Sequence, residues 1–166
     1  VSSFFFISFI WISYLDKDEN EKEISLGAIR ANPKNWETIV EELKKRGVKP
    51  TSMIDVSDGL ASEIFHLCKQ SNVGCELYED KIPIDPQTYD RAREFGLDPT
   101  VCALSGGEDY ELLFTIRADE YEKIREHLDV SIIGHMTDPS SGINMVTKSG
   151  SSIPLKAQGW DALMRS

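Results

Sequence analysis

The chain has 166 residues, a length that suits one domain with its own hydrophobic core. Its formal net charge of -10 argues against a nucleic-acid partner, because phosphate backbones bind to basic faces. The three cysteines show no CxxC spacing, which argues against a zinc site or a disulfide framework and favours a cytoplasmic location.

Residues 1–31 differ in composition from the rest of the chain. The apolar run from Phe4 to Ile12 is shorter than the roughly 20 residues that a membrane helix needs, and no basic stretch precedes it as in a signal peptide. We therefore expect no membrane partner and interpret the run either as a truncated buried strand or as the product of a broken reading frame. Residues 16–31 are charged and aperiodic, as in a linker. The folded domain is expected to occupy residues 32–166.

Helix and strand signals follow one another irregularly from Asn32 onward. A capping residue followed by proline predicts helix starts at Asn32-Pro33 and Asp85-Pro86, and Ser57-Asp58 is expected to cap another helix. The predicted elements, in chain order, are a helix ending at Gly47, a strand at 53–56, a helix ending at Asn72 or Gly74, a strand at 75–78, a helix ending at Gly96, a strand at 110–116, a helix at 119–128, a strand at 131–136 and a hairpin of 143–147 with 152–155. Because strict β-α-β alternation is missing, the sequence predicts an α+β fold with a mixed β-sheet packed with helices.

A first polar cluster, Asp55-Val56-Ser57-Asp58-Gly59-Leu60, lies where a strand should end and a helix should begin. Hard cations such as Mg²⁺ choose oxygen ligands and keep substrate phosphates in their shell, so Asp55 and Asp58 are candidate metal ligands. Ser57 and the helix N-terminal amides are candidates to hold a phosphate. The alternative is structural, with Ser57 or Asp58 as an N-cap and Asp55 as a polar strand end.

A second cluster, Ser105-Gly106-Gly107-Glu108-Asp109-Tyr110-Glu111, crowds acids into a glycine turn before a strand. Like charges this close repel one another unless a cation intervenes, so Glu108 is a candidate to face a metal or a cationic substrate. The alternative is a solvated acidic turn. The chain has neither a GxxxxGK[ST] loop nor a GxGxxG loop, so any phosphoryl transfer uses another scaffold.

Near the C-terminus, Trp160 follows a glycine and precedes an aspartate. A tryptophan there either fastens the chain end to the core or stacks on a flat cationic ligand. The sequence leaves both interpretations open.

The segments Ser52–Leu60 and Ala103–Leu112 together resemble the motifs of thiamine-monophosphate kinases, and the terminal Gly-Trp-Asp also fits. That family belongs to the superfamily of aminoimidazole-ribotide synthetase, and the resemblance extends from about Pro50 to the end. It implies the C-terminal domain fold of that superfamily and ATP-dependent phosphorylation of thiamine monophosphate to thiamine diphosphate. By resemblance, the site residues would be Asp55 and Asp58 as ligands of Mg²⁺ bridging the ATP phosphates, Ser57 as a contact of ATP, and Glu108 and Trp160 as contacts of the thiamine portion.

The resemblance also implies a preceding domain that supplies further metal-binding aspartates, most of the nucleotide site and the contact of a homodimer. Residues 1–35 do not resemble such a domain, and the residues before Asn32 do not match the pattern of the family either. We therefore expect the chain to be a fragment that is inactive alone. Two alternatives stay open: a non-catalytic remnant, and a related ATP-dependent synthetase of the same superfamily.

Overall fold

The computed structural model describes residues 24–29, 36–106, 111–126 and 130–156. Four helices and seven strands are found in these ranges: β1 (Ile24–Ile29), α1 (Trp36–Lys45), β2 (Ser52–Val56), α2 (Leu60–Ser71), β3 (Gly74–Tyr78), α3 (Pro86–Glu94), α4 (Pro99–Ser105), β4 (Glu111–Arg117), β5 (Val130–Thr137), β6 (Ile143–Val146) and β7 (Ser152–Pro154). Short 3₁₀ helices occupy Glu79–Lys81, Ala118–Lys123 and Pro139–Ser141.

The strands form one sheet in the order β2-β4-β1-β5-β3-β6-β7. The β3–β6 pair is parallel and the other pairs are antiparallel, so the sheet is mixed. The predicted α+β fold with a mixed sheet is therefore confirmed, as are the hairpin of β6 with β7 and the strands β2 and β3.

Helices cover both faces of the sheet, and β4 shows how. Successive side chains of a strand point to opposite faces. Leu112 and Phe114 pack in one cluster with Leu43 of α1, whereas Leu113 packs in another with Ile64 of α2. The hydrophobic cluster that contains Leu113 and Ile64 holds α2 beside the end of β2. The polar segment Asp55–Leu60 begins at that end of β2.

Helix ends follow the local chemistry of capping residues. Asp85 caps α3 by accepting the Gln87 N–H at 2.9 Å, with Pro86 in the first turn as predicted. Asp98 does the same for α4, whose Thr100 N–H lies 2.8 Å from the carboxylate. α2 ends at Asn72, which adopts the left-handed conformation at φ 51°.

Two sequence predictions are wrong. Residues 24–29 were assigned to a linker, but they form β1, which pairs with β4 on one side and β5 on the other. The domain therefore begins before residue 32. The helix predicted at 119–128 is a 3₁₀ helix at Ala118–Lys123, followed by a turn at 124–126. The predicted start of α1 at Asn32-Pro33 lies outside the described residues.

Candidate functional site

Residues 55–59, which comprise the end of β2 and the turn that links it to α2 and are called the turn 55–59 below, expose three polar side chains. Asp55, Ser57 and Asp58 are all exposed, while Val56 and Gly59 between and after them are buried. The buried pair holds the turn against the protein, and the three polar groups face solvent. A ligand that approaches this edge of the sheet therefore meets two carboxylates and a hydroxyl within four residues of chain.

Gly59 brings this turn into contact with the second cluster of the sequence. Its φ of +107° is a conformation that side chains other than glycine rarely adopt. A Cβ atom at Gly59 would lie 2.9 Å from the Leu104 carbonyl oxygen and 3.2 Å from the Ser105 Cα. The backbone of the first turn thus packs directly on the end of α4, where the segment Ser105–Glu111 begins.

Sheet pairing brings the far end of that segment to the same place. Val56 of β2 is the partner of Glu111 in β4, and Asp55 is the partner of Leu112. Both ends of the segment Ser105–Glu111 therefore flank the segment Asp55–Leu60. The residues between them, 107–110, are outside the part of the chain that the structure describes. These include Glu108, and Trp160 is likewise outside the described ranges.

A buried carboxyl group lies beneath the exposed turn. Glu63, in the first turn of α2, is only 3% exposed. Its Oε1 accepts hydrogen bonds from the Asp58 N–H at 3.3 Å and from the Ser57 hydroxyl at 3.4 Å. The expectation that Ser57 or Asp58 caps α2 with its side chain is wrong, because the N-cap is Gly59 and no side chain bonds there.

Burial raises the pKa of the Glu63 carboxyl above its ordinary value. The hydrogen bond from the Asp58 amide and the nearby His66 act in the opposite direction, whereas the charges of Asp58 and Asp55 raise the pKa further. The three carboxyl groups therefore interact electrostatically. Sequence reasoning missed Glu63 because an acid near the start of a helix is common, and only its burial sets it apart.

The donor set of the turn suits a hard cation held jointly with a ligand. Among the described residues, no group of three or more His, Cys, Asp or Glu side chains gathers in a way that could hold a metal ion. Mg²⁺ is commonly bound through one or two carboxylates plus substrate phosphates and water, and two exposed carboxylates beside a hydroxyl fit that mode. The chemistry of Asp55 and Asp58 thus fits a shared metal and does not form a closed protein cage.

A small cleft of about 80 Å³ opens beside the turn, lined by Val56, Leu60, the loop 82–85 and Glu111. Binding pockets for organic ligands usually measure roughly 300–1,000 Å³. The cleft is therefore too small to hold a two-ring substrate by itself.

Within the described ranges no helix has the length and apolar character to span a membrane.

Fold and site together define an α+β domain of the aminoimidazole-ribotide synthetase type. Two solved structures share this fold at low identity. AaThiL complexed with AMPPCP and TMP superposes with a TM-score of 0.60 and 23% identity, covering 82% of this chain and 50% of that chain. The hydrogenase maturation protein HypE of E. coli superposes with a TM-score of 0.64 and 14% identity, also covering 82% and 50%.

The chain belongs to the family described as AIR synthase related protein, C-terminal domain, whose model matches residues 8–146. The match begins well before Asn32, so the expectation that the earlier residues do not fit the family is wrong. A thiamine-monophosphate kinase of Pyrococcus abyssi is 35% identical over 136 residues, which are 81% of this chain and 41% of that protein. The chain thus spans about two-fifths of that relative's length, and its resemblance to thiamine-monophosphate kinases is confirmed.

Proposed function

We propose that this chain contributes the C-terminal part of a thiamine-monophosphate kinase site, which transfers the γ-phosphate of ATP to thiamine monophosphate. The observation that carries the proposal is the contact between the turn 55–59 and both ends of the segment Ser105–Glu111. The 35% identity to the Pyrococcus abyssi kinase supports it, and the related fold of AaThiL was solved with AMPPCP and TMP.

In the proposed reaction, a phosphate oxygen of thiamine monophosphate forms a bond to the γ-phosphorus. The bond from that phosphorus to the β–γ bridging oxygen breaks, and ADP leaves. Such transfers depend chiefly on positioning and on neutralising charge, and no protein nucleophile is required. Mg²⁺, when bound, would neutralise phosphate charge beside Asp55 and Asp58, whose own carboxylates repel phosphate.

Each described residue has a defined task in this proposal. Asp55 and Asp58 would hold Mg²⁺, and their exposure leaves room for phosphate oxygens and water. Ser57 would contact ATP. Because a hydroxyl has one proton, Ser57 can donate to a phosphate oxygen only after releasing its bond to Glu63. Glu108 and Trp160 would receive the cationic thiamine portion, through a carboxylate and an aromatic face.

We further propose that the remaining metal ligands, most of the nucleotide site and a homodimer contact come from a preceding domain. The chain spans 41% of the Pyrococcus abyssi relative, which leaves length for such a domain in that protein. A cytoplasmic location is proposed because Cys68, Cys75 and Cys102 are all free thiols.

Formation of thiamine diphosphate tests the proposal. The purified chain is assayed with Mg-ATP and thiamine monophosphate, alone and together with the part of the Pyrococcus abyssi kinase that it does not match. We expect no measurable turnover alone and turnover in the mixture. Calorimetry with each ligand accompanies the assay. A chain that binds neither ligand in the mixture would favour the non-catalytic remnant.

The related synthetase is the second candidate, and the fold shared with HypE is the observation in its favour. The same mixture distinguishes it. A synthetase would consume ATP with another acceptor and would ignore thiamine monophosphate.

A further inference from the structure

Glu63 is an unexpected residue at its position. Among the side chains that the structure describes, it is the only buried Asp or Glu. Leu60, Ile64 and Leu67 of the same helix belong to the hydrophobic cluster that α2 buries. Burying a carboxyl group costs free energy unless hydrogen bonds compensate, so an apolar side chain would serve the core better. The carboxyl group therefore calls for a role other than packing.

The helix itself does not need this carboxyl group. The Glu63 N–H donates to the Gly59 carbonyl at 3.2 Å, which is an ordinary helical bond. The side chain instead extends back past the N-cap to residues 57 and 58. One carboxylate oxygen accepts both the Ser57 hydroxyl and the Asp58 N–H, so the contact is specific to the exposed turn.

Holding the Asp58 N–H fixes the peptide plane between Ser57 and Asp58. The orientation of that plane decides where the two side chains point, and both are exposed. Gly59 fixes the next residue from the other side, through its close packing on Leu104 and Ser105. The turn 55–59 is thus held by the hydrogen bonds to Glu63 and by the packing of Gly59 on the end of α4.

We propose that Glu63 is a positioning residue, which holds the turn 55–59 so that Asp55 and Asp58 can bind one divalent cation together. This inference rests on the proposed function for the cation, but not for the holding of the turn. Hydrogen-bond partners outside the direct ligands commonly change metal affinity by about 10–100-fold when they are removed. We expect removal of the Glu63 acceptor to weaken cation binding by a factor in that range.

Two substitutions separate position from charge. E63Q removes the charge and keeps an oxygen that can accept both hydrogen bonds. E63L removes the acceptor and keeps an apolar side chain of similar size in the cluster. S62A is the matched control, because Ser62 is a neighbouring buried polar residue of α2 with 9% exposure.

Two measurements are made on the full chain. The first is hydrogen exchange of the Asp58 amide, read by NMR. The second is the affinity for Mn²⁺, read by paramagnetic relaxation with Mn²⁺ alone and with ATP added. We expect E63L to speed exchange at Asp58 and to weaken Mn²⁺ binding by about tenfold or more. E63Q and S62A should stay within about threefold of the unchanged chain, since positioning partners act through the bonds they make.

Each of the other possible results would contradict one part of the inference about Glu63. Normal exchange at Asp58 in E63L would show that Glu63 does not hold the turn. Equal losses of Mn²⁺ affinity in E63Q and E63L would assign the effect to charge and not to position. Equal Mn²⁺ affinity in E63L and the unchanged chain would leave Glu63 a merely structural group. If the unchanged chain binds no Mn²⁺, Asp55 and Asp58 do not bind a divalent cation by themselves and the cation part of this inference fails, while the exchange at Asp58 still decides whether Glu63 holds the turn.

Discussion

Replacing Gly59 by alanine tests whether the two clusters depend on their close contact. The added Cβ would lie 2.9 Å from the Leu104 carbonyl oxygen and 3.1 Å from the Ser105 carbonyl carbon. Both are backbone atoms and cannot move aside like the end of a flexible side chain. Either the turn 55–59 or the end of α4 must shift.

Two costs add in G59A. The backbone at φ 107° and ψ 147° lies where residues with a Cβ are strained, by roughly 1–3 kcal/mol. Crowding in a closely packed place costs about 1–3 kcal/mol more. We expect a total loss of about 4 kcal/mol of unfolding free energy. For a chain of this size, that loss lowers the melting temperature by roughly 10 °C.

Gly96 provides a matched control. It also has a positive φ, of +67°, but a Cβ there meets nothing within 4 Å. G96A should therefore lose only the backbone cost of about 1 kcal/mol. Urea and thermal unfolding, followed by circular dichroism, measure both variants. A loss in G59A within about 0.5 kcal/mol of that in G96A would refute the close contact between the turn and α4, since additive sites usually agree to that margin.

Three further predictions concern the site. In the complete enzyme, D55N and D58N should each lower kinase activity by about 10²-fold, which is the usual effect of losing one charge-stabilising group. The melting temperatures should stay nearly unchanged, because both side chains are exposed. Near-normal rates in both variants would mean that Asp55 and Asp58 are only polar residues at the ends of β2 and the turn. W160A should raise the KM for thiamine monophosphate roughly tenfold, which corresponds to about 1.4 kcal/mol, and should not change the KM for ATP. Equal effects on both KM values would mean that Trp160 only fastens the chain end to the core. Burial raises the pKa of Glu63 above its ordinary 4.5, so the folded state keeps this proton longer than the unfolded state and loses stability as pH rises through the interval above 4.5. Thermal melts across that interval should show a fall in stability that E63Q lacks, and parallel curves for the two proteins would contradict it.

The elements predicted correctly from the sequence are those set by neighbouring residues. Asp85 and Pro86 define the start of α3 without help from the rest of the fold. The two polar clusters were found for the same reason, because their residues are adjacent in sequence. α4 begins with the equivalent pair Asp98-Pro99, and it was missed because its seven residues leave no room for a clear apolar period.

Two further differences from the prediction lie outside what neighbouring residues determine. Gly27 and Ala28 of β1 are poor strand formers, and β1 forms because β4 and β5 pair with it on both sides. At 118–126 the pattern of apolar residues suits an α-helix, but the chain turns more tightly there. Neither outcome can be read from a local window of sequence.

The candidate site shows the same division within a few residues. The chemical groups that would meet a ligand, Asp55, Ser57 and Asp58, lie next to one another and were visible in the sequence. The groups that hold them lie further away: the Glu63 carboxylate in the first turn of α2, and the backbone of Leu104 and Ser105 in α4. A glycine-rich phosphate loop surrounds its ligand with its own amides and needs little outside support. The turn 55–59 has two buried residues and no such loop, so its geometry depends on these outside contacts. Substitutions at Gly59 and Glu63 should therefore alter the site without removing any group that a ligand would touch.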